Sequence, residues 1–402
     1  MIDIAKHQED LEKILRGIAE NLNLEHYNVS KDVSTDFADG FTSLFCTSQL
    51  KDEDNGKTYT IAIKKAPVYN QFDYKILFRN EESFYKKVFP FMESFQQEAG
   101  IKEPFNNIAK FYGSDSENNV HIALENLKEA GYIMHNKKEY LDQNHLEYIF
   151  KLYGKFHAIS FAIKHKNPEK YRELTGSLND IFQVLNELLL GGCQTSLTGS
   201  LKALDAESET YHKVKDLIDN VKERFNTACS YKGEYSCVTH GDCWSNNMLF
   251  KYSESNKLED VKLIDFQLVR GSTPVHDLSY FFYSGASKKD FDNIEHYLQL
   301  YHGSFSEVCL LFGEDPKELF PLETLRSDWK QYALLGLLMG IQLWQVKLVA
   351  KERMQEVFKE IEDCKEKEQK VWANLMEAVY DTEEFKERAR ALLVHGIEYG
   401  VI

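Results

Sequence analysis

The densest group of reactive side chains is Thr239-His240-Gly241-Asp242-Cys243-Trp244-Ser245-Asn246-Asn247, followed by the apolar Met248-Leu249-Phe250. It has the form H-x-D-x-x-x-x-N ahead of a strand. Phosphoryl transfer to a hydroxyl needs a carboxylate that orients and deprotonates the acceptor, with a neutral oxygen ligand for Mg²⁺ close by. Asp242 and Asn247 lie on one loop and supply those two groups. Eighteen residues past Asn247, the apolar run Val261-Lys262-Leu263-Ile264 ends in Asp265. The intervening Ser253 to Asp260 is turn-like, so 247–266 reads as a hairpin whose open end brings Asn247 and Asp265 together. Both offer hard oxygens of the kind Mg²⁺ accepts beside water and phosphate oxygens.

A nucleotide also needs a cation for its phosphates. Ala62-Ile63-Lys64-Lys65 closes a strand, and strand side chains alternate faces. Lys64 shares its face with the small residues Ala62 and Thr60, whereas Lys65 shares a face with Ile63, Ile61 and Tyr59. A base needs a small residue beneath it and a lysine beyond it, so Lys64 is the phosphate lysine and Lys65 leans over the apolar face or into solvent. Helical neighbours at three, four and seven positions place Glu81 inside the stripe Leu77, Phe78, Phe84, Tyr85 and Val88. Glu82 falls at the stripe's edge. A carboxylate placed inward needs a partner, and Lys64 is the natural one.

Further groups complete the reading. Asp39-Gly40-Phe41-Thr42-Ser43 holds one glycine for a tight turn, Gly40, and a hydroxyl donor for a phosphate, Ser43. Ala123-Leu124-Glu125-Asn126-Leu127 ends a strand, and backbone groups of Glu125 and Leu127 are placed to hydrogen-bond adenine. His240 braces the loop, Asp277 caps the following helix and ties the loop down, and His157 packs. Tyr280-Phe281-Phe282-Tyr283 and Leu343-Trp344 offer aromatic and apolar lining for an acceptor pocket.

The elements that must hold these residues follow from periodicity. The first 30 residues read as a helix through Ile4, Leu11, Ile14, Leu15 and Ile18. Strands are expected at 41–50 and 58–64, a helix at 75–89, and strands at 108–112 and 119–125. The chain is mostly helical from 141 to about 228, carries an isolated β island at 247–266, and is helical from there almost to the end. A β-rich first third and a helical remainder predict an α+β fold in two lobes, a small N-lobe over 1–126 that binds nucleotide and a large, mostly helical C-lobe over 127–402.

Composition narrows the partners. A formal net charge of -16 argues against nucleic acid, which needs a basic face. No run of 18 apolar residues marks a membrane span, and the charged N-terminal pattern has no signal-peptide core, which points to the cytosol. The seven cysteines include no C-x-x-C pair, and no histidine pattern completes a zinc site around Cys237 and Cys243. They read as reduced, buried thiols.

Together, HGDCWSNNML, LIDFQ and DLSYFF resemble the insect ecdysteroid kinase-like family, within the broader choline kinase and aminoglycoside phosphotransferase group. Supporting matches are Asp39 to Ser43, Lys64 with Pro67, Glu81 before Phe84-Tyr85, and Leu124 to Leu127 followed by Gly131-Tyr132. They span about residues 35 to 290 in the expected order. The resemblance implies a protein-kinase-like fold and transfer of the ATP γ-phosphate to a small-molecule alcohol, typically an ecdysteroid or a detoxification substrate. By position it implies Asp242 as base, Asn247 and Asp265 as Mg²⁺ ligands, and Lys64 with Glu81 as the phosphate-positioning pair. Asn126 stands where that family usually has Asp. The alternatives are a choline or ethanolamine kinase sharing the same core, and a binding protein without catalysis. A protein kinase is excluded, because the glycine-rich loop is missing and only eleven residues separate Asp265 from Asp277.

Overall fold

The computed structural model describes residues 4–30, 44–66, 74–350, 353, 356 and 368–402. Helix α1 (Ile4–Asn21) turns Leu11, Ile14, Leu15 and Ile18 inward, as its periodicity requires. An antiparallel sheet follows, built from β1 (Tyr27–Ser30), β2 (Leu44–Asp52), β3 (Thr58–Lys65), β4 (Phe111–Asp115) and β5 (His121–Glu125), in the order β1-β2-β3-β5-β4. The inward face of α1 packs with Cys46, Leu50, Ile61, Ile63 and Ala123 of the sheet into a core of their own.

Several boundaries differ from expectation. The strand expected at 41–50 runs from Leu44 to Asp52, and residues 41–43 lie outside the described residues. The strand expected at 108–112 starts at Phe111 and continues to Asp115, while Ile108 makes only a parallel bridge to Leu263. β1 lay hidden in the stretch read as helix; its four residues pair with 49–52 and are too short for a clear alternation. The helix expected at 75–89 is α2 (Lys75–Ser83), a π turn at Phe84–Val88 and α3 (Phe89–Glu98). The π turn falls where the Phe84 ring stacks on Phe266, with centroids 3.7 Å apart. The apolar stripe of α2 and α3 is buried in the larger, helical core, so this helix bridges the sheet and the rest of the molecule.

The remainder is mostly helical. Helix α4 (Gln143–Lys166) packs along the helix Ile294–Leu311. The helix Leu334–Leu348 lies so close to Pro274–Gly285 that a Cβ on Gly336 would meet Ser279 Oγ at 2.3 Å. Between these helices stand β6 (Ile133–Met134), β7 (Cys237–Thr239), β8 (Met248–Tyr252), β9 (Leu258–Leu263) and β10 (Arg270–Ser272). The β island is therefore not isolated. β8 and β9 form the expected hairpin with β6 at its edge, and β10 returns antiparallel along β7. Short strands of three residues carry little pattern of their own, which is why β7 and β10 escape the sequence.

Among the described residues, no helix is long and apolar enough to cross a membrane. Their six cysteines are buried and free of disulfides.

Candidate active site

The hairpin β8–β9 pairs Met248 with Leu263, so the residues just outside it, Asn247 and Ile264, face each other. Ile264 N–H donates to Asn247 O at 3.0 Å, which sets Asp265 beside the catalytic-type loop. Asp265 itself has φ of 67°, in the left-handed region that Asp tolerates better than most residues. At the loop's other end, β7 runs into His240 and Gly241. Gly241 has φ of 85°, and a Cβ there would meet Leu268 O at 2.1 Å, so only glycine fits.

The loop is fixed from behind. Asp277 Oδ2 accepts from His240 N–H at 2.6 Å and Oδ1 from Gly241 N–H at 2.9 Å, while His157 Nε2 approaches Oδ2 at 3.1 Å. Burial alone would raise the Asp277 pKa, but these partners outweigh it and hold it below the usual carboxylate value. Asp277 thus ties the loop down but does not cap the helix. Thr273 is the cap, accepting from Val275 N–H. His157 does more than pack, since its Nδ1 also lies 3.1 Å from Tyr301 Oη. His240 accepts from Asp242 N–H on Nδ1 and so donates from Nε2 to Ile264 O at 3.0 Å. Burial lowers its pKa and keeps it neutral, a brace rather than a proton carrier.

Asp242 is buried at the loop's centre. Its Oδ1 accepts from Tyr280 Oη–H at 2.9 Å and its Oδ2 from Asn247 Nδ2 at 2.8 Å. Burial, and then the nearby charge of Asp265, push its pKa up to about 6, against the pull of those two donors and of Lys64.

Lys64 comes to this place from β3. Its Nζ donates to Glu81 Oε2 at 2.9 Å and to Asp265 Oδ1 at 2.6 Å, linking α2 to a residue 201 positions along the chain from Lys64. Of the two lysines, Lys64 is the one that points at these carboxylates. Lys65, also buried, lies on the apolar face with Ile61 and Ile63, where its ammonium reaches Asp10 of α1 at 3.4 Å rather than solvent. Burial opposes the Lys64 ammonium, but the charges of Asp265 and Glu81 outweigh it and raise its pKa. Burial first, and the charge of Asp265 with it, push Glu81 up against the pull of Lys64. Glu82 faces the edge as expected, bonded to Lys86, Ser114 and Ser116.

The donor set suits Mg²⁺. Asn247 spends its amide N–H groups on Asp242 O and Oδ2, which leaves its amide oxygen to serve as an acceptor or ligand elsewhere. Asp265 has a second oxygen beside the one held by Lys64. Among the described residues no cluster of three or more His, Cys, Asp or Glu could hold a metal, so a metal here would rest on few protein oxygens. Mg²⁺ accepts such sparse ligation when phosphates and water complete its octahedron.

The nucleotide groups are partly placed. Glu125 N–H donates to Lys110 O at 2.8 Å and is unavailable to a base. Leu127 O accepts from Ala130 and Tyr132 N–H, while no backbone carbonyl of the described residues accepts from Leu127 N–H. Gly40 and Ser43 lie outside the described residues.

Sequence reasoning misplaced some residues here. Phe281, Phe282, Tyr283 and Trp344 are buried core side chains, not pocket lining, and Trp344 Nε1 donates to Tyr283 O. Tyr280 is the exception, and its spacing carried the signal: Asp277 and Tyr280 lie three apart on one helix and share the face turned to the loop. Two positions were overlooked. Asn80 is fully buried next to Glu81. Lys347 is fully buried too, donating to Ser284 O at 2.5 Å and Ser245 Oγ at 3.4 Å, and burial, then the charge of Arg388, lower its pKa to about 7.

The antiparallel sheet, the bridging helix with its Lys64–Glu81 pair, and the loop and hairpin carrying Asp242, Asn247 and Asp265 define a kinase-like fold. The chain belongs to the ecdysteroid kinase-like family, whose sequence profile matches residues 38–313, more than half its length. No curated protein matches the chain. Among solved structures it is similar to a Plasmodium vivax ethanolamine kinase, at 14% identity and a TM-score of 0.38, over 80% of this chain and 75% of that one.

Proposed function

We propose that this chain is a small-molecule kinase that transfers the γ-phosphate of ATP to the hydroxyl of an apolar alcohol, such as an ecdysteroid or a detoxification substrate. The observation that carries the reading is the meeting of Lys64, Glu81 and Asp265 through hydrogen bonds of 2.9 and 2.6 Å, beside a loop that presents Asp242 and Asn247. On this reading the nucleotide lies between an N-lobe of 1–126 and a C-lobe of 127–402. The carbonyl of Glu125 and the N–H of Leu127 take the adenine edge. Lys64, held by Glu81, grips the phosphates, with Gly40 and Ser43 proposed as further phosphate contacts. Mg²⁺, held by Asn247 and Asp265, would neutralise charge developing on the phosphates. Asp242 accepts the proton of the acceptor hydroxyl while Tyr280 and Asn247 fix its carboxylate. ATP and reduced, buried thiols suit the cytosol.

The apolar acceptor is supported by the family and by the short stretch from Asp265 to Asp277, which leaves no room for a peptide platform. The test is labelled ATP with a panel of hydroxysteroids, choline, ethanolamine and generic protein substrates. Labelling of a hydroxysteroid is expected. Preference for choline or ethanolamine would reassign the acceptor, and no transfer to any member would favour a binding protein.

Face parity gives a second expectation. Lys64→Ala should raise the ATP KM or lower kcat by about 100-fold, the usual cost of misplacing a reacting group. Lys65→Ala should change either constant by no more than about threefold, since Lys65 engages Asp10, well away from the loop. Steady-state kinetics with ATP varied checks the ranking, and the reverse order would remove Lys64 from its role.

A further inference from the structure

We propose that Asn80 is a positioning residue that keeps Glu81 and Asp265, the two carboxylates gripping Lys64, in register. The inference rests on the phosphotransfer reading above. Asn80 precedes Glu81 on α2 and is fully buried. Successive helical side chains diverge by about 100°, so the two reach different partners. Glu81 turns to Lys64. Asn80 turns to the stretch that follows Asp265, donating from Nδ2 to Gln267 O at 3.0 Å and to Val269 O at 2.8 Å. Its Oδ1 accepts from Asn179 N–H at 2.7 Å.

Those carbonyls lie within and just after the short turn Phe266–Leu268, which begins directly after the left-handed Asp265. One amide therefore measures out the distance between the helix carrying Glu81 and the peptide carrying Asp265. Three further points favour positioning over simple space filling. Both amide hydrogens and the amide oxygen are used, so the residue type is specified by the hydrogen bonds. The partners come from two separate segments, 179 and 267–269. The next residue in the chain is a member of the pair. Without the amide, α2 is free to draw back, Glu81 loosens from Lys64, and the ammonium settles on Asp265 alone, engaging the carboxylate proposed for the metal.

The experiment compares kcat, the ATP KM and thermal melting for wild type, Asn80→Ala, Glu81→Ala and the double variant, with the best acceptor of the panel. Asn80→Ala is expected to lose about 10- to 100-fold in kcat with a much smaller change in KM, as a displaced group does. The double variant should be no more than about twofold slower than Glu81→Ala, because the first change acts through the second. Losses that multiply, or wild-type kinetics in Asn80→Ala, would overturn the proposal. Should Asn80→Ala fail to fold, Asn80→Asp takes its place in the same cycle: it keeps an acceptor for Asn179 N–H but cannot donate to the two carbonyls. A wild type that phosphorylates no acceptor would defeat the phosphotransfer reading itself, and this inference with it.

Discussion

Asp242→Asn is expected to cut turnover by about 100- to 10,000-fold, the range for loss of a general base, while nucleotide affinity stays near that of the wild type. The carboxylate is held between two donors, Tyr280 Oη–H and Asn247 Nδ2, which aim it, and it makes no hydrogen bond to Lys64, the proposed phosphate lysine. An amide here has one oxygen for two donors and no basic lone pair for a proton. The pH profile carries the same expectation. Burial first, and the charge of Asp265 next, hold the Asp242 pKa at about 6, so more of it is protonated near neutrality than of an ordinary aspartate. A protonated carboxyl cannot take a proton from the acceptor. Wild-type kcat/KM should therefore decline as pH falls through about 6, and that limb should vanish from the residual activity of the variant. Near-normal turnover, or an unchanged acid limb, would remove Asp242 from the catalytic role.

Asp265→Asn is expected to abolish the Mg²⁺ dependence of nucleotide binding. Asn is the proper replacement because position 265 has positive φ, where Asn is accepted and Ala would add backbone strain to the loss of charge. Partners that merely orient metal ligands cost 10- to 100-fold when removed, so a direct ligand should cost at least about 100-fold in MgATP affinity. Lys64 remains paired with Glu81 in the variant, which separates the metal contribution from the lysine's. Calorimetry with ATP, with and without Mg²⁺, reads the result. Undiminished affinity and Mg²⁺ dependence would refute the assignment.

Much of this arrangement was legible because it rests on local rules. Alternation along β3 separated Lys64 from Lys65, helical spacing set Glu81 inward and Glu82 at the edge, and the hairpin length brought Asn247 to Asp265. Strand β1 and the pair β7–β10 were not legible, since three or four residues are too few to show a period of two. The continuation of the helix from 89 to 98 was not read; there Pro90 sits just past the π turn Phe84–Val88, where the helical hydrogen bonding is already irregular. The aromatic run after Asp277 misled for a different reason. Apolar rings are equally suited to a pocket and to a core, and only packing distinguishes them: Phe281, Phe282 and Tyr283 went inside. Asn80 was missed because a polar residue beside a glutamate looks like the wet face of a helix. What makes it buried is the return of the chain near 267 and 179, contacts that no local pattern encodes.

The stretch between Asp265 and Asp277 is short and fastened along its length. Asn80 holds Gln267 and Val269, β10 is laddered to β7, and Arg270 is bridged to Asp180 at 2.8 Å. Enzymes that are switched on by a signal usually keep a loose segment at this point that orders when modified. Here there is no slack to order. On the proposed reading the machinery is armed as soon as the chain has folded, and throughput depends on how much protein a cell makes and how much alcohol reaches it. On that reading a transfer governed by concentration, with no separate arming event at this stretch, is the behaviour such a layout favours.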